Sequence, residues 1–226
     1  MADKAARKVA LVTGAGRSAG RAIALKLAGE GFVLALTART FEELEETRRL
    51  SGFQARDALI LLADLTLGEA PLDVFGAAMS HFGRLDVLIN AAHAVSPSPS
   101  LLELEEADQD RVIAVNLRAP IALARLTAQR MRQQSGGGTI INFIRRGGRF
   151  APDPITAAAD MGIAAFADAA TIALRPFKIK AATMVIPPSG FGIAEAAAAM
   201  AIIGAEAGDY PLASKSWGRQ AEPAKL

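Results

Sequence analysis

The sequence predicts a doubly wound α/β fold, a parallel sheet with helices on both faces. Three observations carry this reading. Short runs rich in Val, Ile and Leu alternate with longer helical patterns along the chain. These runs are apolar at successive positions rather than at every second one, as strands covered on both faces require. The first run leads directly into TGAGRSAG at 13–20, a glycine-rich turn that opens a helix. With 226 residues, 51% of them hydrophobic, the chain is long enough for one well-filled domain of about six or seven strands spanning 1–226.

The predicted strands are KVALVTG (8–14), FVLALTA (32–38), DALILLA (57–63), RLDVLIN (84–90), GTIINFI (138–144) and IKAATMVI (179–186). The first helix, 19–29, places Ile23 and Leu27 on one face. FEELEETRRL (41–50) is a charged surface helix, and 68–82 opens with acidic and proline residues. Residues 107–134 form a long helix broken near Pro120, whose ring removes an N–H. An alanine-rich helix covers 155–175. The last apolar run, 193–205, is too short to span a bilayer. SPSPS (96–100) and GGG (136–138) are turns.

Composition excludes several function classes. The chain has no cysteine, which removes disulfides, thiolate metal sites and a cysteine nucleophile; no metal site is expected. Net charge is +2 with no run of Lys/Arg interleaved with aromatics, so nucleic acid is not an expected partner. No membrane segment and no signal peptide is expected, and a cytoplasmic location follows as the expectation.

The glycine turn points to an anion. Gly14, Gly16 and Gly20 stand between the first strand and first helix, where backbone N–H groups approach a pyrophosphate closely and a helix N-terminus supplies partial positive charge. At the end of the second strand an NAD site keeps an acid for the ribose 2′-hydroxyl. Here the sequence reads Thr37-Ala38-Arg39-Thr40, with Arg17 in the glycine turn. Two guanidiniums suit a 2′-phosphate, so NADP(H) is the expected cofactor.

TGAGRSAG, followed by Asp64-Leu65-Thr66, NAAH at 90–93 and Asn116 within AVNLRAP, resembles the short-chain dehydrogenase/reductase family. AVNLRAP, the prolines after NAAH and the following LLEL look most like pteridine-reductase-type members. The resemblance implies a Rossmann-type fold, and site residues carry over by position. Thr13, Gly14, Gly16, Arg17, Ser18, Ala19 and Gly20 match the cofactor turn, with Ser18 in place of its middle glycine. Asp64 matches the acceptor of the adenine amino group and Leu65 its flanking neighbour. Asn90, Ala91 and Ala92 fall on the Asn-Asn-Ala-Gly motif, with His93 where its glycine stands. Asn116 matches an asparagine that organises a relay water, and Pro187 matches the proline after the sixth strand. The family's pairing of equivalent helices implies a homodimer or homotetramer.

The catalytic pattern breaks. The family's serine, tyrosine and lysine positions are occupied by Arg146, Thr156 and Asp160. A phenol four residues from an ammonium shares a helix face with it and becomes a usable acid/base; here no lysine lies between Lys26 and Lys178, and the one tyrosine is Tyr210. Tyr210 and Lys215, in YPLASK, read as a terminal loop. After the sixth strand PPSGFG passes almost directly into a helix, so the substrate lid looks deleted and the site should be open and wet.

Two substitutes present themselves. His93 and Asp160 form either a replacement acid/base pair or, respectively, a glycine-filling side chain and an aspartate near a helix start. Arg145, Arg146 and Arg149 either bind a small-molecule anion or pair with Asp153 and Asp160 and close the pocket. Two function classes therefore follow. One is a nucleotide-binding protein impaired in hydride transfer, acting as sensor, binder or scaffold. The other is a working NADPH-dependent carbonyl or pterin reductase with non-standard acid/base residues.

Overall fold

A computed structural model describes residues 7–98, 100–134, 136–145, 153–187 and 192–204. Six strands form one parallel sheet: β1 (Val9–Thr13), β2 (Val33–Ala38), β3 (Ala58–Leu62), β4 (Val87–Asn90), β5 (Gly138–Arg145) and β6 (Ile179–Ile186). Their order across the sheet is β3-β2-β1-β4-β5-β6. Order reverses at β1, so the clefts at the carboxyl ends of β1 and β4 open outward between diverging connections. The register aligns Thr13 with Asn90 and Asn90 with Asn142, setting three polar side chains in a row at those ends.

Alternation along the strands sends successive side chains to opposite faces. Val12, Leu34, Leu36 and Ile141 bury against Ile23 and Leu27 of α1 (Ser18–Gly29), Leu44 of α2 (Phe41–Leu50) and Ile202 of α7 (Ile193–Gly204). Val9, Leu11, Leu88 and Ile140 bury on the other face, against Val74 of α3 (Ala70–Phe82), Leu123 and Met131 of α5 (Ala119–Gln133) and Ala167 of α6 (Pro154–Leu174). Lys180 turns from β6 to the α7 face of the sheet and donates to the Ile202 and Ile203 carbonyls, at 2.6 and 3.1 Å, at the end of α7. Burial, and the nearby Lys8, push its ammonium below the ordinary lysine range.

Helix ends follow their local chemistry. α3 starts at Ala70, two residues later than the sequence reading, with Pro71 in its first turn, where no N–H is needed. It stops at Gly83, at φ +71, with His81 edge-on to Phe82 at 4.4 Å. α6 is capped by Asp153, whose carboxylate accepts from the Thr156 N–H at 2.8 Å.

The long helix of 107–134 is a correction. α4 (Glu106–Ile113) and α5 are joined through a π-helical turn, Ala114–Arg118, rather than parted at Pro120. Pro120 has no N–H to offer the Asn116 carbonyl four residues earlier, and the chain widens there instead of breaking.

The helical stretch Pro154–Phe177 has mean hydropathy 1.4 and is long and apolar enough to cross a membrane by length and composition. Only 28% of its most apolar window is buried, and that part, including Ala167, lies against the sheet.

Candidate functional site: a nucleotide-shaped cleft

The carboxyl ends of β1, β2, β4 and β5 border a cavity of about 570 Å³. Its walls are the glycine turn, Thr37–Thr40 after β2, Asp64–Thr66 after β3, Ala91–Val95 after β4, and Arg111, Phe143 and Arg145.

The glycine turn is built for close backbone approach. Gly14 takes φ +64, and a Cβ there would lie 2.7 Å from the Ala92 nitrogen. A Cβ on Gly20 would fall onto the Gly14 carbonyl oxygen. Below the turn, Thr13 Oγ1 accepts from the Ala91 and Ala92 N–H groups, both at 3.1 Å, and ties β1 to the β4 loop. Arg21 reaches back from α1, donating to the Gly16 carbonyl, to Thr47 Oγ1 at 3.0 Å and to the Glu43 carbonyl at 3.2 Å. Thr47 donates to the Ala15 carbonyl at 2.9 Å. This clamp went unread in the sequence, because Thr47 sits inside a helix that looked like charged surface.

Ser18 takes φ +49 at the position that resembles the family's middle glycine. An L side chain there costs about 1–2 kcal/mol. Ser18→Gly is therefore expected to raise the unfolding free energy by about 1 kcal/mol and the melting temperature by about 2–4 °C. Thermal unfolding followed by circular dichroism checks this; an unchanged or lower midpoint contradicts it.

Arg17 and Arg39 both line the cavity, and neither has an acidic partner within 4.0 Å among the described residues. The expectation that no carboxylate stands beside them needs correction. Glu43, in the first turn of α2, borders the same wall, and its Oε2 lies against Gly16. Asp64 Oδ1 accepts from the Thr66 N–H at 3.0 Å. That bond, helped by Thr66's side chain and the nearby Arg39, holds the Asp64 carboxyl below its usual range against the opposing effect of burial. Leu65 is buried beside it.

Two expected site residues lie beneath the cavity floor. Asn90 is buried and donates to Asn142 Oδ1 at 2.8 Å and to the Pro120 carbonyl at 3.5 Å. Asn116, on the π-helical turn, accepts from the Ala94 N–H at 2.7 Å and donates to the Ala94 carbonyl at 2.8 Å. Asn116 fastens the β4 loop and Asn90 ties the end of β4 to β5 and α5, and neither lines the cleft. Ala19 lines the cavity wall; Pro187 follows β6, where Ile186 reaches the cleft.

Thr156 is buried at the start of α6, its hydroxyl donating to Asp153 Oδ2 at 2.7 Å. Asp153 also accepts from the Ser96 N–H at 3.1 Å. Burial raises the Asp153 pKa, but these hydrogen bonds outweigh it and leave the carboxyl below its usual range. Thr156 thus serves a helix cap. Asp160, in the second turn of α6 rather than at its start, meets His93: Oδ1 stands 3.1 Å from His93 Nε2. Asp160 Oδ2 accepts from the Arg145 N–H at 3.1 Å. Asp153 and Asp160 are thus engaged by the β4 loop, α6 and backbone, and Arg145 turns to the cavity unpaired among the described residues. Arg146, Arg149, Tyr210 and Lys215 lie outside the described residues.

These features match what an extended, multiply phosphorylated dinucleotide needs: exposed backbone amides, a helix N-terminus, unpaired guanidiniums at one end and an apolar shelf for a base.

A family model described as short chain dehydrogenase matches residues 8–195. An uncharacterized oxidoreductase of Mycobacterium tuberculosis is 34% identical over 144 residues, covering 64% of this chain and 54% of that protein. The short-chain reductase protein NovJ of Streptomyces niveus is 36% identical over 138 residues, covering 60% and 51%. The matched stretch spans about half the length of these curated relatives. Among solved structures, a metagenomic short-chain oxidoreductase in complex with NADP superposes with TM-score 0.78 at 27% identity, covering 91% of this chain and 94% of that one. The 3-ketoacyl-(acyl-carrier-protein) reductase of Brucella melitensis, complexed with NADH, gives TM-score 0.72 at 27% identity, covering 80% and 75%.

Proposed function

The chain belongs to the short chain dehydrogenase family, and we propose that it is a single-domain NADP(H)-binding member in which hydride transfer is impaired. The observation that carries the reading is the cleft itself: a glycine turn with two guanidiniums, Arg17 and Arg39, unpaired among the described residues, on one wall. When bound there, the reduced dinucleotide supplies a hydride. The chain supplies the backbone amides of the turn for the pyrophosphate, Arg17 and Arg39 for the 2′-phosphate, and Asp64 and Leu65 for the adenine. Glu43 stands close enough to the same wall to be the acid that an NAD(H) site would use, so the two dinucleotides must be compared directly.

Impairment rests on the three positions that resemble the family's catalytic set. Arg146 is no hydroxyl, Thr156 is committed to Asp153, and Asp160 carries the wrong sign for an ammonium. Loss of general acid–base help costs on the order of 10²–10⁴ in rate. Equilibrium titration with NADPH and NADH by calorimetry tests the binding half. Saturable NADPH binding, tighter than NADH, is expected; equal or tighter NADH binding would sink the cofactor assignment.

Self-association belongs to the same proposal. Only 28% of the most apolar window of α6 is buried in the single chain. A shallow apolar groove between α5 and α6, with Ala124, Ala128, Phe166 and Ala173 on its walls, lets a second copy approach closely. Ala173→Arg leaves the core untouched and is expected to turn a dimer or tetramer into smaller species. Light scattering at micromolar concentration reads this; a wild-type monomer contradicts it. We place the protein in the cytoplasm, with a small anionic ligand beside Arg145, Arg146 and Arg149 as its further partner.

A further inference from the structure

We infer that His93 and Asp160 form a working acid–base couple at the reacting end of the cleft, with His93 as the proton donor to a carbonyl oxygen and Asp160 as its positioning residue. The inference rests on the reading that the cleft holds a reduced nicotinamide dinucleotide, and goes beyond it by assigning the proton delivery that the impaired site retains.

The geometry is specific. His93 lines the cavity from the β4 loop, where the resemblance puts a glycine. Asp160 stands behind it on α6, and the two side chains are 11% and 7% exposed. The Asp160 carboxylate faces the Nε2 atom, 3.1 Å from Oδ1 and 3.4 Å from Oδ2. A second contact locks the carboxylate: its Oδ2 accepts from the Arg145 N–H. An acceptor-only group against Nε2 fixes that nitrogen as the N–H. Nδ1 is then left to gain and lose a proton, and it has no hydrogen-bond partner among the described residues. Orientation by a buried carboxylate, one free imidazole nitrogen and a border on a solvent-filled cleft together define a general acid. The charged groups that share this end of the cavity are Asp160 from α6, Arg145 from β5 and Arg111 from α4. Arg111 is held by Asp108 Oδ1 and the Val95 carbonyl, both at 2.9 Å.

The step balances without further reagents. A substrate carbonyl carbon accepts the hydride, the C=O π pair moves to oxygen, and the oxygen takes the Nδ1 proton of the imidazolium. The products are an alcohol, neutral His93 with Nε2–H still on Asp160, and the oxidised dinucleotide. Water in the open cleft returns the proton to Nδ1. Reduction thus requires protonated His93.

Two measurements on the intact protein test this. With only two histidines in the chain, ¹⁵N-histidine NMR, assigned with a His81→Asn variant, reads the tautomer directly. Neutral His93 is expected as the Nε2–H tautomer, and Asp160→Asn should weaken that preference. The Nδ1–H tautomer in the wild type, or an unchanged tautomer balance in Asp160→Asn, overturns the couple. In parallel, NADPH oxidation with 4-nitrobenzaldehyde should be measurable, slowed about 10²-fold in His93→Gln and less in Asp160→Asn. Wild-type turnover no faster than free NADPH, or equal turnover in His93→Gln, overturns the assignment. So does loss of NADPH binding in His93→Gln, which would make His93 part of the nucleotide floor. A wild-type protein that binds no NADPH would instead sink the cofactor reading, while the NMR tautomer would still decide the couple.

Discussion

Gly20→Ala is expected to abolish nucleotide binding and to destabilise the fold by about 3 kcal/mol. The added Cβ would fall onto the Gly14 carbonyl oxygen, a backbone atom with no room to swing aside. Relieving the overlap requires α1 to lift from the turn, and overpacking of this kind costs about 1–3 kcal/mol before any lost burial. α1 carries Ile23, Ala24 and Leu27 into the core with no accessible surface, so its shift also loosens that packing. The same shift moves the amides of the turn away from any phosphate. Gly29→Ala is the matched control. It lies at the other end of the same helix, with nothing within 4 Å of an added Cβ, and alanine there should be neutral or gain up to about 1 kcal/mol. Chemical denaturation and NADPH titration of both variants read the contrast. Gly20→Ala with wild-type stability and binding would contradict the account of the turn.

The second large effect is on cofactor choice. Arg39→Ala is expected to weaken NADPH by about 10–100-fold, because charge-assisted hydrogen bonds contribute about 1.5–3 kcal/mol. NADH, lacking the 2′-phosphate, should be almost unaffected. Arg17→Ala should act in the same direction, and the double variant should lose most of the preference between the two dinucleotides. NADPH affinity should also fall with added salt more steeply than NADH affinity, since the guanidiniums face solvent. Parallel losses for both dinucleotides would mean that the arginines hold the shared pyrophosphate instead. Glu43 offers the reverse probe: Glu43→Gln should leave NADPH binding intact, and a loss of NADH binding alone would identify it as a ribose contact.

Most of the fold was legible in the sequence because strands covered on both faces leave a strong local signal. VALVT and VLALT bury at every position, and no other environment suits such runs. The glycine turn was legible for a related reason, since Gly14 and Gly20 are dictated by backbone atoms a few residues or one strand away. Side-chain duties were less so. Asn116 and Asn90 sit in recognisable motifs, yet Asn116 fastens the β4 loop and Asn90 ties β4 to β5 and α5, and neither faces the cleft. The sequence shows the motif but not the direction of the side chain. Thr156 reads as a failed catalytic hydroxyl until Asp153, three residues earlier, is recognised as an N-cap. Glu43 and Thr47 were hidden because a highly charged helix gives no sign of which side chain turns toward the turn of a neighbouring strand. His93 and Asp160 are separated by 67 positions in the chain. The resemblance, and no local signal, put both near the cleft and made the pair one of two readings; their contact depends on how the β4 loop meets α6.

A crystal structure of the NADPH complex tests the central claim most directly. The account predicts the 2′-phosphate between Arg17 and Arg39, the adenine against Asp64 and Leu65, and His93, backed by Asp160, as the ionisable side chain at the nicotinamide. A phosphate turned away from both arginines, or the Tyr210 phenol and a lysine of either subunit closing on the ring, would contradict it.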